Sequence, residues 1–163
     1  MDALKPILDP CCASRMFYFD KQNPDVLFCD IRHGVDKLMD SGRKRLVIEP
    51  DMVADVTSLP FDDESFSLVI FDPPHLVGSH AGIMKEYYGS LASVPAAREF
   101  LRQGFSECWR VLKPNGTLVF KWFEHKLPLK EILELAPCAP VCGNKRPGKD
   151  KTHWLVFFKA LQE

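Results

Sequence analysis

The chain has 163 residues, of which 46% are hydrophobic and 26% charged, so it is expected to form a single domain over residues 1–163 around one sizeable core. A formal net charge of −1 excludes general electrostatic coating of nucleic acid or membrane, though a local basic patch can sit on a neutral protein. The first residues do not read as a basic-plus-apolar signal and no apolar run nears the roughly 20 residues of a spanning helix, so a soluble cytoplasmic protein with no membrane partner is expected.

Cys11, Cys12, Cys29, Cys108, Cys138 and Cys142 match neither a disulfide framework nor the two-residue gap of zinc sites. Free, mostly buried thiols and no metal are expected.

In chain order, Lys5 to Pro10 reads as a short apolar strand ending on an acid and a proline, followed by the small-residue turn Cys11-Cys12-Ala13-Ser14. A strand, a small turn and a helix start make a ligand cradle, and Arg15 to Asp20 is the candidate helix, about two turns long before Asn23-Pro24. Val26 to Asp30 is a second buried strand, whose acid falls about 20 residues beyond the first turn, the interval at which a Rossmann-like unit places a carboxylate on ribose. Residues 36–40 read as a short helix, Arg43-Lys44-Arg45 as a basic cluster, and Pro50 to Asp55 as a third strand with an acid at its end.

The chain is organised around Phe66 to Leu76. Phe-Ser-Leu-Val-Ile-Phe suits a strand covered on both faces, and Asp72-Pro73-Pro74-His75 stops it, because proline cannot continue the ladder. Ligands of open α/β sheets bind outside the carboxyl ends of strands, so Asp72 and its neighbours are the first candidates for chemistry. The irregular segment 77–95 reads as an active-site lid, with His80, Tyr87 and Tyr88 as candidate substrate contacts. Ala97, Phe100, Leu101, Gly104, Phe105, Cys108 and Leu112 recur at helical spacing; Lys113-Pro114-Asn115-Gly116 is a turn; Thr117 to Phe123 is a strand. Residues 129–136 look helical, 137–142 look like a short edge strand, and His153 to Phe158 is the last strand, after a basic loop that includes Lys145 and Arg146. The pattern predicts an α/β fold with a mostly parallel sheet and an antiparallel strand near one edge.

With these pieces placed, the chain resembles the class I S-adenosylmethionine-dependent methyltransferases, and within them the amino-methylating branch that carries Asp-Pro-Pro-Tyr. Asp9-Pro10-Cys11-Cys12-Ala13-Ser14 is similar to the Asp-Pro-x-x-Gly-Ser-Gly turn that holds the methionine part of the cofactor, and Asp72-Pro73-Pro74-His75 is similar to the motif that grips a planar amine. Ala13 and Arg15 stand where the family has glycines, and His75 where an aromatic ring stacks on the base. The resemblance implies a Rossmann-like methyltransferase sandwich and S-adenosyl-L-methionine as cofactor. It implies a cofactor site of Asp9, Pro10, Cys11, Cys12, Ala13, Ser14, Arg15, Asp30, Ile31, Asp55 and Val56, with Asp30 on the ribose and Asp55 at the adenine amino group. The catalytic group would be Asp72, Pro73, Pro74 and His75.

The function this implies is N-methylation of an exocyclic amino group, of adenine, cytosine or guanine in DNA or RNA. No separate target-recognition domain is expected, so loops or a partner must supply substrate contact, and Lys145 and Arg146 are candidates. A small-molecule methyltransferase with residues 77–95 as lid is an alternative, as is a non-catalytic protein of the same fold serving a protein partner or a second copy of itself. A nicotinamide dehydrogenase is disfavoured because no Gly-x-Gly-x-x-Gly follows the first strand.

Overall fold

β-branched and aromatic runs stopped by acids, prolines and glycines make most of the strands. In the computed structural model, which describes residues 4–39, 42, 44–78, 83–144 and 151–161, these are β1 (Ile7–Asp9), β2 (Val26–Asp30), β3 (Val35–Met39), β4 (Lys44–Ile48), β5 (Met52–Val53), β6 (Phe66–Phe71), β7 (Leu112–Phe123), β8 (Cys142–Gly143) and β9 (Thr152–Phe158). The helices are α1 (Ile83–Tyr88), α2 (Val94–Val111) and α3 (Leu129–Leu135).

Seven strands form one sheet in the order β5-β2-β1-β6-β7-β9-β8. The β1–β2, β1–β6, β2–β5 and β6–β7 pairs are parallel, while β9 runs antiparallel to both β7 and β8. This is the mostly parallel sheet with one reversed strand near an edge that the sequence predicts. From β1 the chain first builds outward through β2 and β5, then crosses to the other side of β1 to lay down β6 and β7. The order therefore reverses between β1 and β6, and a crevice opens beyond their carboxyl ends at such a switch point.

The main core lies where α2 and α3 cover the sheet. Val69, Phe71, Leu118, Phe120, Trp122, Leu155 and Phe157 meet Ala97, Leu101, Phe105, Cys108 and Val111 of α2 and Ile132 of α3. Gly104 allows the close approach of α2, since a Cβ there would stand 2.6 Å from the Phe71 ring. The start of α2 is set by Ser93, whose Oγ accepts a hydrogen bond from the Ala96 N–H at 3.3 Å, and by Pro95 in the first turn.

Three expectations fail. Residues 15–20 form turns instead of a helix, because Ala13 and Arg15 take left-handed φ values of 44° and 53° that a right-handed helix cannot absorb. Residues 36–40 belong in part to β3, which pairs antiparallel with β4 in a separate two-stranded hairpin. Met39 of β3 with Leu46 and Ile48 of β4 forms a small apolar cluster that takes in Val35 and Tyr87. Five residues in isolation do not separate a strand from a helical turn, and here the pairing with β4 decides it. The expected turn Lys113–Gly116 lies inside β7, where the register against β6 shifts and Asn115 adopts φ 62°.

Within 77–95 the expected irregularity is interrupted by α1. A bridge joins Val77 to Leu91, Lys37 of the hairpin pairs with Glu86 of α1, and Tyr87 packs on the hairpin cluster. Among the described residues no helix is long and apolar enough to cross a membrane.

Candidate active site

Asp9, Asp30 and Asp72 stand at the carboxyl ends of β1, β2 and β6, three neighbouring strands, so the ladder itself gathers three acids at the crevice. A cavity of about 300 Å³ opens there. Its wall includes Pro10, Cys11, Cys12 and Ala13 from the first turn, Asp30 and Ile31 after β2, Asp55 and Val56 after β5, and Asp72, Pro73, Pro74 and His75 after β6. Two motifs that begin 63 residues apart in the chain, at Asp9 and Asp72, thus share one wall, together with Tyr87 from α1.

Asp9, Ser14 and Arg15 are not on that wall. Asp9 is fully buried beneath the first turn, where the Tyr18 hydroxyl donates to its Oδ2 at 2.9 Å and the Cys11 N–H to its Oδ1 at 3.1 Å. Burial pushes its carboxyl up to about 7, the charges of Asp72 and Asp30 add to that, and the two hydrogen bonds oppose it. The Arg15 guanidinium lies 3.9 Å from the Phe28 ring centroid and donates to Asp51 Oδ1 at 2.8 Å and to the carbonyls of Glu49 and Lys21, which commits it to tying down the turn. His80, Lys145 and Arg146 lie outside the described residues, as does the side chain of Tyr88.

Asp30 is held by its neighbours. Oδ2 accepts from the Ala13 N–H at 2.8 Å and from Arg32 Nη2 at 3.2 Å, and Oδ1 from the Arg32 N–H at 2.8 Å and Nε at 3.1 Å. Arg32 also donates to the carbonyls of Glu86 and Tyr87, so one guanidinium joins the β2 acid to the end of α1. Asp55 folds back on its own turn, accepting from the Thr57 N–H at 2.9 Å and hydroxyl at 2.7 Å.

At Asp72 the arrangement is different. Oδ2 accepts from Lys121 Nζ at 2.7 Å, while Oδ1 is buried and receives no hydrogen bond from the described residues. An unsatisfied buried carboxylate oxygen on a cavity wall is a place for a ligand's N–H. Beside it, His75 is 8% exposed, its ring 5.7 Å from Phe123 and 6.1 Å from Trp122. Burial lowers its pKa; Asp72 works the other way, and Lys121 adds to the lowering. That favours neutral imidazole at pH 7.

Sequence reasoning missed Lys121, Phe17 and Arg32 on the cavity wall, and Tyr18 below it. Lys121 left a signal, a single cation inside the apolar strand Thr117–Phe123, since lysine is rarely enclosed without a partner. Phe17 and Tyr18 were hidden by the helical reading of 15–20. Cys12, Cys29 and Cys108 are buried free thiols, Cys11 is half-buried on the wall, and Cys138 and Cys142 are exposed. Among the described residues no group of three or more His, Cys, Asp or Glu is placed to hold a metal ion.

No family model and no curated protein matches the chain. Solved structures do. An S-adenosylmethionine-dependent methyltransferase from Methanosarcina mazei is similar with a TM-score of 0.60 at 16% identity, over 99% of this chain and 95% of that one. A TehB-like S-adenosylmethionine-dependent methyltransferase from Corynebacterium glutamicum is similar with a TM-score of 0.57 at 14% identity, over 99% and 83%. A geranyl diphosphate methyltransferase, solved with geranyl diphosphate and sinefungin, is similar with a TM-score of 0.52 at 10% identity, over 96% and 71%. At these identities the likeness speaks for architecture: the chain has the Rossmann-like fold of the class I S-adenosylmethionine-dependent methyltransferases.

Proposed function

We propose that this protein is an S-adenosylmethionine-dependent N-methyltransferase acting on an exocyclic amino group, that of a nucleobase in DNA or RNA. The observation that carries the reading is Asp72 Oδ1, a buried acceptor with no donor among the described residues, on the wall of the cavity at the switch point and next to the Pro73 backbone.

The residues present fit the cofactor. The 10–13 turn suits its amino-acid part, and Asp55 with Val56 suits the adenine. Asp30 suits the ribose with one condition: both its oxygens already accept two hydrogen bonds, so hydroxyls reach it only as Arg32 gives way. When bound, the cofactor supplies an electrophilic methyl group. The chain's own part is then positioning. Asp72 Oδ1 and the Pro73 carbonyl accept the two N–H bonds of the acceptor amine, which holds its nitrogen pyramidal and stabilises the positive charge that grows there. As the nitrogen gains carbon it loses one proton, and Asp72 is the group placed to take it. His75, buried among the rings of β7, closes the pocket and offers a face to the acceptor.

The backbone weighs against a non-catalytic protein. Ala13 and Arg15 replace the glycines of the resembling motif, yet both keep the left-handed conformation glycine would take, so the turn's shape survives. Tyr87 of α1 on the cavity wall favours a closed site as a second reading, in which the acceptor is a small molecule.

The test is methyl transfer from labelled cofactor to fractionated DNA, RNA and metabolite pools, with cofactor affinity measured by calorimetry. Asp72→Ala is expected to abolish transfer and leave cofactor affinity within a few-fold. Equal loss of both would move Asp72 into the cofactor site or the core. Transfer to nucleic acid that weakens steeply with salt supports the nucleobase reading, and salt-insensitive transfer to a metabolite replaces it.

A further inference from the structure

The Asp72 carboxylate has a partner that the amine clamp does not need for its own sake. Lys121, on β7, donates to Oδ2 at 2.7 Å, and both side chains are largely enclosed, at 18% and 14% exposure. Its ammonium also lies 5.5 Å from the Phe17 ring centroid and 5.7 Å from that of Trp154, rings that meet edge to face at 5.6 Å. One N–H is used on Asp72, Nζ makes no other hydrogen bond among the described residues, and Lys121 and Phe17 both line the cavity. An open acceptor, Asp72 Oδ1, therefore stands next to an open donor on Lys121, in one pocket and bridged by their own ion pair.

We propose that Lys121 selects the acceptor. Resting on the amino-methyltransferase reading above, it donates to a ring nitrogen lone pair adjacent to the amino group, so the site takes an amidine edge, H–N–C=N. Adenine (N6 and N1) and cytosine (N4 and N3) present that edge on their Watson–Crick side, whereas guanine presents it only through N2 and N3, on the side of its sugar. The N1–N2 edge of guanine presents two donors and would set N1–H against the ammonium. Oδ2 keeps its Lys121 N–H while Oδ1 and a second Lys121 N–H take the base. A ring lacking that nitrogen leaves an enclosed ammonium N–H without its partner, the kind of loss that polar sites reject most strongly.

The test uses single-stranded thymidine oligonucleotides carrying one adenine, one 1-deazaadenine, one cytosine or one 3-deazacytosine, the deaza bases keeping the amine and losing only the ring nitrogen. Binding without cofactor is read by fluorescence anisotropy, and methyl transfer is read separately. For whichever natural base is taken, the wild type is expected to bind it roughly tenfold or more tighter than its deaza partner. Lys121→Met brings the two within about twofold, and Lys121→Arg, which keeps a cationic donor, restores the preference. Equal treatment of a base and its deaza analogue by the wild type overturns the role of Lys121 while transfer to both upholds the amine reading. Preference retained in Lys121→Met overturns it too. If neither these four oligonucleotides nor their counterparts in a uridine ribonucleotide strand are bound or methylated, the nucleobase reading fails for adenine and cytosine and this inference fails with it.

Discussion

Residues 66–158 and residues 4–56 build the same sheet by different means. The later part has the 12-residue β7, the 18-residue α2 and a core of ring on ring, with Phe105 at 5.4 Å from Phe71, 4.7 Å from Phe120 and 6.1 Å from Phe157. The earlier part has strands of two to five residues, described turns in place of the first crossover helix, and a polar network in which Asp51 receives Lys5 and Arg15 while Asp30 receives Arg32 and Ala13. The lesson is a division of labour. Rigidity comes from the apolar half and is lent across the β1–β6 pairing to a cradle whose own order rests on hydrogen bonds and special backbone angles.

If that division holds, the largest stability loss belongs to the apolar half. Phe105→Ala removes a side chain 1% exposed and should destabilise by about 3–5 kcal/mol, read from denaturant midpoints. A loss below about 1 kcal/mol would mean that α2 is not what the sheet leans on. Next is Asp9, the buried acid of the polar half. Its folded pKa, near 7, lies above its ordinary 3.8, so between those values the folded state holds a proton that the unfolded state has released. Stability therefore falls as pH rises through this window and levels off above 7. Between pH 5 and 8 this group should withdraw about 2–3 kcal/mol, a loss absent in Asp9→Asn, as paired unfolding curves at the two pH values would reveal. Identical slopes for the two proteins would show that Asp9 is not the source of the pH dependence.

The same contrast governs what could be read from the sequence. α2 was legible because six of the seven positions that repeat at helical spacing lie within it, and β6 and β9 because their apolar runs are short and rich in β-branched and aromatic residues. The acids Asp30, Asp55 and Asp72 were legible because each sits where an apolar run ends. The 10–25 segment was not: its conformation follows from two left-handed non-glycine residues and from Tyr18 reaching Asp9, neither of which leaves a periodic trace. The Asp72–Lys121 pair spans 49 residues and exists only through the β6–β7 register, which sets Phe71 opposite Phe120 and so brings the next residues together. Spacing arguments along one strand cannot see across a ladder.

The smallest expected effect has the opposite sign. Ala13 holds φ 44°, in the region where a Cβ crowds the following carbonyl, at a cost of roughly 1–2 kcal/mol for an ordinary L-residue. Glycine removes that crowding but adds freedom to the unfolded chain worth about 0.4–1 kcal/mol, so Ala13→Gly should stabilise by about 1 kcal/mol or less. The backbone N–H that Ala13 gives to Asp30 is kept, and so the cradle's geometry should be unchanged. A gain would place stored strain in the polar half, alongside the buried acid. A loss would show that the Ala13 methyl on the cavity wall contributes more by packing than it costs in conformation, and the cradle would then be closer in kind to the apolar half than its hydrogen bonds suggest.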